Sequence, residues 1–435
     1  MIKATNLIQT GIAWIAEIPS DWDLKRIKLL FDFNKNIVGK TSADFDVLSL
    51  TTKGVIKRNL ESGMGKFPAS FDGYQIVKPN SIMLCLFDMD VTPRVVGHVD
   101  DEGIISAAYT NIIPKKGINS KYYYYYFLLQ DKNNSLLALG TGIRITLNKD
   151  FFGTLKIPVP PLSVQNSIVA YLDKKNYEID KFIRNKERLI ELLEEEKKIK
   201  LYNAVTKGIN EVNFLKSNNV NWLPQIPSNW IVKRLKHTVS KISGGITPSM
   251  DNQSFWDGDI LWVTSKDMKS DIISESEMKI TKKALQQTSV KLIPASSILL
   301  VVRSGILQHT LPVCINSLPI TINQDLKAIT VNKKIFLPEY FRLLLKGIEA
   351  NILHECRKAV ATVESIEMKD FTNFSLPIPP IDEQQEIVEY INQAYQTINL
   401  AISKAQKEIS SIKEYREALI TDLVTGKRCL NCDLE

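Results

Sequence analysis

The chain has 435 residues, 44% hydrophobic and 24% charged, with a formal net charge of +7, which fits two to four soluble globular domains of roughly 100–200 residues each. Its longest apolar runs, residues 297–302 and 122–129, fall far short of the ~20 residues that a membrane-spanning helix needs, so membrane association is not expected. The amino-terminal segment lacks the pattern of a secretory signal and the five cysteines lack a disulfide framework, so a cytoplasmic protein is expected.

Taken in chain order, the first marker is WIAEIPSDWDLKRIK, starting at Trp14, in which Ile-Pro-Ser is followed by Trp22 and then by Lys25, Arg26 and Lys28. Short β-branched or alternating runs follow, VLSLTTKGVIKRN and YQIVKPNSIMLCLFD, punctuated by Gly, Pro and Asn as strands and turns are. The run YYYYYFLLQ at 122–130 predicts one half-buried helix. The next marker, IPVPPLSVQNSIVAYL from Ile157, is a proline step that opens a helix, with Ser163 placed as its N-cap. Leu172, Ile179, Phe182, Ile183, Leu189, Ile190 and Leu193 form its apolar side, interrupted by Lys175, Lys186 and Glu196.

Both markers then recur. WLPQIPSNWIVKRLK begins at Trp222, 208 residues after the first copy, and carries Trp230, Lys233, Arg234 and Lys236 at matching places. LPIPPIDEQQEIVEYI begins at Leu376, 219 residues after its counterpart, and repeats Gln165 as Gln384 and Tyr171 as Tyr390, with Asp382 as the expected N-cap. Its helix has a 4-3 apolar alternation through Ile391, Tyr395, Ile398, Ile402, Ala405, Ile409, Ile412, Leu419 and Leu423, broken only by Arg416. That pattern is a coiled-coil seam, and each helix is expected to run about 40 residues or about 60 Å. The segments between markers, roughly 27–148 and 235–368, do not resemble each other.

A shared frame holding two different inserts predicts an α+β fold: two mixed α/β domains, two long antiparallel coiled-coil helices and a pseudo-twofold internal repeat. The expected boundaries are 1–160 for the first domain, 161–210 for the first helix, 211–380 for the second domain, 381–428 for the second helix and 429–435 for a tail. The tail holds Cys429 and Cys432, a lone CxxC that reads as free thiols. Residues 21–155 contain 17 basic and 14 acidic residues, and residues 230–375 contain 19 and 14, so the positive excess sits in the inserts. This direction favours a polyanionic partner.

Nucleotide-binding glycine motifs and methyltransferase NPPY-type motifs are absent, and no catalytic constellation is visible. The carboxylate pairs Asp88 with Asp90 and Asp257 with Asp259 read as turn residues, and the four histidines are scattered, so no metal site is expected. With these observations in place, the chain closely resembles the DNA specificity subunits of type I restriction-modification systems. The resemblance rests on the repeated IPS-x-W and P-x-PP-(x)3-Q markers, and on GGITPS, FWDGDILWVTSKDM, SVKLIP, LLVVRSG and TINQDLKAI in the second insert. LSLTTKGVIKR, YQIVKPNSIMLCLFD and GIISAAYTNIIPK resemble a different type of target recognition domain.

The resemblance implies a non-catalytic subunit in which each insert reads one half of a split site in double-stranded DNA. It implies two methyltransferase subunits docked on the chain, with restriction/translocase subunits joining through that methyltransferase core. S-adenosylmethionine, Mg2+ and ATP are then expected on the partners and no cofactor on this chain. From the side-chain preferences of groove readout, the candidate base readers are Lys53, Lys57, Arg58 and Arg144 in the first domain and Ser265, Lys266, Arg303 and Gln324 in the second. Lys25, Arg26, Lys233 and Arg234 are candidate phosphate anchors. A coiled-coil scaffold, or a stand-alone DNA-modifying enzyme with an unrecognised site, is the competing reading.

Overall fold

In each copy the two repeated markers pair with each other. Asp23–Arg26 forms an antiparallel ladder with Lys156–Val159, with Lys25 opposite Ile157. Ile231–Arg234 does the same with Ser375–Ile378, with Lys233 opposite Leu376. Prolines 158 and 377 sit within these ladders, where a two-stranded ribbon lets a residue without an N–H face away from its partner. One further bond closes each insert: Ile27 N donates to Leu155 O at 3.0 Å, and Leu235 N donates to Phe374 O at 2.9 Å.

This computed structural model describes residues 2–3, 6–12, 15–60, 68–92, 95–210, 214–358 and 363–430. Trp14 and Cys432 lie outside the described residues. The chain forms two compact units, one of residues 1–186 with 406–435 and one of residues 187–405. Two mixed α/β domains and two long helices make up the expected fold class.

In the first unit, Val96–His98, Ile82–Leu84, Thr110–Pro114 and Phe31–Asn34 form a four-stranded antiparallel sheet in that order. The tyrosine run is the helix Ser120–Lys132, capped by Asn119, whose side chain accepts from Lys121 N and Tyr122 N. This helix is more deeply enclosed than expected: Tyr122, Tyr123, Tyr126 and Phe127 are each at most 1% exposed. Enclosure is tolerated because the buried hydroxyls find acceptors. Tyr122 donates to Val424 O at 2.9 Å, Tyr123 to Pro158 O at 3.0 Å and Tyr125 to Asp173 Oδ1 at 2.7 Å. Burial raises the Tyr122 and Tyr123 hydroxyls well above their ordinary range, which keeps them protonated as donors.

The second unit is built on a five-stranded sheet of Val239–Gly244, Leu326–Val331, Ile298–Val301, Val313–Asn316 and Ile272–Ile273, with only the last pairing parallel. Every residue of the central strand Ile298–Val301 is buried, as its uninterrupted apolar run requires. A three-stranded sheet of Met278–Ile280, Trp256–Val263 and Thr321–Ile322 lies beside it in the chain. The helix Pro338–Gly347 ends against the first long helix so closely that a Cβ on Gly347 would meet Val205 Cγ2 at 2.7 Å.

The long helices are Leu162–Lys207 and Ile381–Val424, of 46 and 44 residues. Their pairing runs antiparallel inside each unit: Asp180 meets Arg416 and Lys186 meets Glu408 in the first, while Lys197 meets Asn399 in the second. The seam expected on the second helix is seen, with Ile391, Ile398, Ile402, Ala405, Leu419 and Leu423 buried. The first helix departs from expectation. Phe182 and Leu189 are exposed, and Lys186, expected to interrupt the apolar side, is half-buried in the seam with Glu408 at 2.6 Å. Lys197 also reaches the seam, its Nζ 4.7 Å from the Tyr395 ring centroid. Long lysine stems fill the seam while their ends take partners on the second helix.

The N-cap expectation is corrected. The cap position falls two residues earlier in both helices, where the carbonyls of Pro161 and Pro380 accept the first helical bonds, from Gln165 N and Gln384 N. Ser163 and Asp382 therefore lie within the first turn. The repeated glutamines, both 0% exposed, link each long helix to its domain. Gln165 Oε1 accepts from Asn119 N at 2.8 Å while its Nε2 donates to Pro160 O at 2.8 Å. Gln384 Oε1 accepts from Leu337 N at 2.9 Å and its Nε2 donates to Ile335 O and Pro379 O. Asn119 and Leu337 are the N-cap residues of the domain helices. Gln384→Ala leaves these buried groups unpaired and is expected to cost about 3 kcal/mol. That corresponds to roughly 6–12 °C in the melting temperature of a unit this size, measurable by calorimetry against the exposed-site control Ser163→Ala.

Candidate nucleic-acid interface

The first domain presents its candidates on two separate loops. Leu48–Thr51 and Gly54–Lys57 form a hairpin whose tight turn places Lys53 at the tip, where Lys53 N bonds Thr51 Oγ1 at 3.1 Å. Gly54, at φ +105°, supplies the left-handed turn residue. Lys57 is exposed and pairs with Asp46 at 2.7 Å, and Arg58 is half-buried with its backbone N donating to Val47 O. Arg144 sits on the other loop, a small ribbon closed by reciprocal bonds between Thr141 and Thr146. Its guanidinium donates to Asp88 Oδ2 at 3.1 Å, and Asp90 Oδ1 accepts from Ile145 N at 3.0 Å. Asp88 and Asp90 thus act as loop ties, with Asp88 itself at φ 49°.

In the second domain the structure brings the candidates together. Ser265, Arg303 and Asp325 line one cleft of about 640 Å³. Arg303 follows the buried strand Ile298–Val301, and its exposed side chain donates from Nε to Asp325 Oδ1 at 2.7 Å. Gln324, next to Asp325, accepts from Thr247 Oγ1 at 2.6 Å. Lys266 is exposed in the turn after Trp256–Val263, where Asp267 Oδ2 accepts from Thr264 N and Oγ1. The GG of GGITPS has a steric reason: a Cβ on Gly245 would lie 2.0 Å from Ile322 O and 2.2 Å from Asn323 O. Only glycine lets this backbone press against the loop that carries Gln324 and Asp325.

Lys25, Arg26, Lys233 and Arg234 lie in the clamping ladders with exposed side chains, and Lys25 pairs with Asp23 at 2.9 Å. Asp257, at φ 60°, and Asp259 fall in an irregularity of the strand Trp256–Val263, where the register shifts between Trp256 and Ile260. Cys429, in the expected tail, instead pairs by backbone with Ile2. Among the described residues no group of three or more His, Cys, Asp and Glu is arranged to hold a metal, and no helix is long and apolar enough to cross a membrane.

The profile of a family described as the type I restriction modification DNA specificity domain matches residues 19–195 and again 227–411. The chain belongs to this family. The MjaVIII specificity subunit of Methanocaldococcus jannaschii is 26% identical over 431 residues, covering 94% of this chain and 93% of that one. The EcoR124I/EcoR124II specificity subunit of Escherichia coli is 35% identical over 187 residues, 43% of this chain and 46% of that one. The chain therefore matches about half the length of this second relative.

Two solved structures share the fold. One, from work on complex assembly and conformational transition of the type I R-M system, has a TM-score of 0.72 at 15% identity and covers 94% of this chain and 99% of that one. The HsdS subunit from Thermoanaerobacter tengcongensis has a TM-score of 0.56 at 16% identity, covering 94% and 98%. The two profile matches each contain one marker-to-marker insert, so this DNA specificity subunit carries two recognition domains.

Sequence reasoning passed over Asp325 and Asn323, which orient the candidates of the second domain. Their signal was present in TINQDL, where an Asn two residues before an Asp is a common side-chain-to-backbone turn. Gly245→Ala is expected to destabilise the second unit by about 2–3 kcal/mol through overpacking. Urea titration read by tryptophan fluorescence measures this, since Trp256 and Trp262 stack edge to face in the same domain.

Proposed function

We propose that this specificity subunit is non-catalytic and reads an asymmetric, bipartite site in double-stranded DNA, one half-site per recognition domain. The observation that carries this reading is the repetition of one clamping frame around two dissimilar inserts. Repetition supports the same job done twice, and dissimilarity supports two different half-sites. In this reading residues 1–160 and 211–380 are the recognition domains and residues 161–210 and 381–428 set the unread spacer, with half-sites about 10 bp apart centre to centre.

Lys53, Lys57, Arg58 and Arg144 contact bases in one half-site, and Ser265, Lys266, Arg303 and Gln324 in the other. Their support is position: they sit on loops and strand ends, the irregular backbone on which binding residues concentrate. Lys25, Arg26, Lys233 and Arg234 take phosphates, which position a protein without reading sequence. Two methyltransferase subunits dock on the chain and bring in restriction/translocase subunits. S-adenosylmethionine, Mg2+ and ATP belong to those partners, and the complex works in the cytoplasm.

Methylated adenines are mapped across genomic DNA from cells carrying the neighbouring methyltransferase, with and without this chain. The expected result is a bipartite motif of one fixed spacer length that vanishes when the chain is deleted. An unchanged methylation pattern, with the methyltransferase shown to be active, overturns the reading. In vitro, DNA affinity of the assembled complex is expected to fall steeply as salt rises, because phosphate contacts release counterions.

A further inference from the structure

Around Arg303, three layers of contacts fix one side chain. The innermost is backbone: Val302 N donates to Asp325 O at 2.8 Å and Ser304 N donates to Glu364 O at 3.0 Å, so residue 303 is held on both sides. Next, Asp325 Oδ1 accepts from Arg303 Nε at 2.7 Å. Asp325 is in turn oriented by Asn323, whose Nδ2 donates to Asp325 Oδ2 at 3.0 Å and whose Oδ1 accepts from Asp325 N at 3.2 Å. Asn323 is 6% exposed, and its own N donates to Val263 O at 3.0 Å. A buried amide thus sets a carboxylate, and the carboxylate sets a guanidinium that opens onto the cleft with Ser265.

The arrangement consumes one edge of the guanidinium and leaves another. With Nε given to Asp325, the edge formed by Nη1 and Nη2 has no hydrogen-bond partner among the described residues, and the side chain remains 55% exposed. Two parallel N–H donors held in a plane match the paired acceptors O6 and N7 of guanine in the major groove. Adenine presents a donor where guanine presents O6, and is refused. Placing a carboxylate 2.7 Å from the guanidinium adds a negative charge that a phosphate would have to approach, whereas a neutral base edge meets no such penalty.

Resting on the DNA-recognition reading above, we infer that this cleft seats a guanine of the second half-site. Arg303 contacts its O6 and N7, and Asp325 and Asn323 are positioning residues that act through Arg303. The partner chemistry is a G·C pair read from the major groove. Asp325 sets which face of the guanidinium is offered, so its removal loosens selectivity without removing the positive charge.

The test uses the full chain assembled with its methyltransferase, and a panel of duplexes in which each base pair of the motif is replaced in turn. Wild-type complex is expected to reject substitution of one guanine in the half-site read by the second domain. Arg303→Ala is expected to lose that rejection by roughly 10–100-fold, leaving the other positions and the first half-site as selective as before. Arg303→Lys keeps the charge but not the fork, and is expected to lose selectivity at the same position. Asp325→Asn is expected to lose a smaller share of it there, with assembly and melting temperature unchanged. These outcomes together support the assignment.

A uniform fall in methylation across the panel, rescued by Arg303→Lys and accompanied by a shallower salt dependence, makes Arg303 a phosphate contact and overturns it. Full selectivity retained in Arg303→Ala overturns it as well. If Arg303→Ala fails to assemble, the Arg303→Lys and Asp325→Asn profiles decide by the same criteria. A wild-type motif that does not depend on the chain instead overturns the DNA-recognition reading itself, so the two failures are told apart.

Discussion

Closing each insert with a short ladder is the constraint on which the rest of the structure depends. An insert of well over a hundred residues begins at Ile27 or Leu235 and returns at Leu155 or Phe374, and a hydrogen bond joins each pair of ends. Bringing such distant ends together carries a loop-closure cost that grows only slowly with length. A four-residue ladder, followed at once by a proline step, therefore suffices to hold very different inserts in the same way. The consequence for function is modularity, since the frame constrains the ends of an insert and leaves its interior unconstrained.

The frame is reinforced where the long helices begin. A helix start exposes unpaired backbone groups, and here a completely buried glutamine reaches from the first turn to the N-cap residue of the domain helix. The geometry recurs in both copies even though the domain helices differ, one rich in tyrosine and one in leucine. The tryptophan of the first marker completes each corner by a different contact. Trp230 donates from its indole nitrogen to Glu383 at 3.0 Å, whereas Trp22 packs its edge against Tyr122 with ring centroids 6.5 Å apart. Equivalent residues thus reach the same end by hydrogen bonding in one copy and by packing in the other.

Charge on the recognition domains is organised by pairing. Lys57 with Asp46, Arg144 with Asp88 and Arg303 with Asp325 each place an acidic side chain beside a candidate DNA contact. Exposed pairs of this kind add little to stability, so their effect is on direction. They hold long basic side chains in one orientation before any DNA arrives, which reduces the entropy lost on binding. The modest positive excess of the inserts follows from the same arrangement, because many cations are already answered by a neighbouring carboxylate.

The sequence by itself determined the repeat, the fold class, the two long helices and the seam of the second helix, because each of these is written as spacing along one chain. Ser163 and Asp382 were misplaced as caps by two residues because a proline carbonyl makes the first helical bond, and spacing says nothing about which carbonyl that is. The depth of the tyrosine helix was hidden because the acceptors for its hydroxyls, such as Val424 O, lie up to 302 residues away. The role of Lys186 was hidden for the same reason, since its partner Glu408 belongs to the other long helix. Arg303 and Ser265 were legible as candidates, but their meeting in one cleft, and the half-buried Asp325 and buried Asn323 behind them, were decided only by tertiary structure. Local pattern records which residues are available, whereas hydrogen bonds between distant segments decide which edge of a side chain is used and which is left to read a ligand.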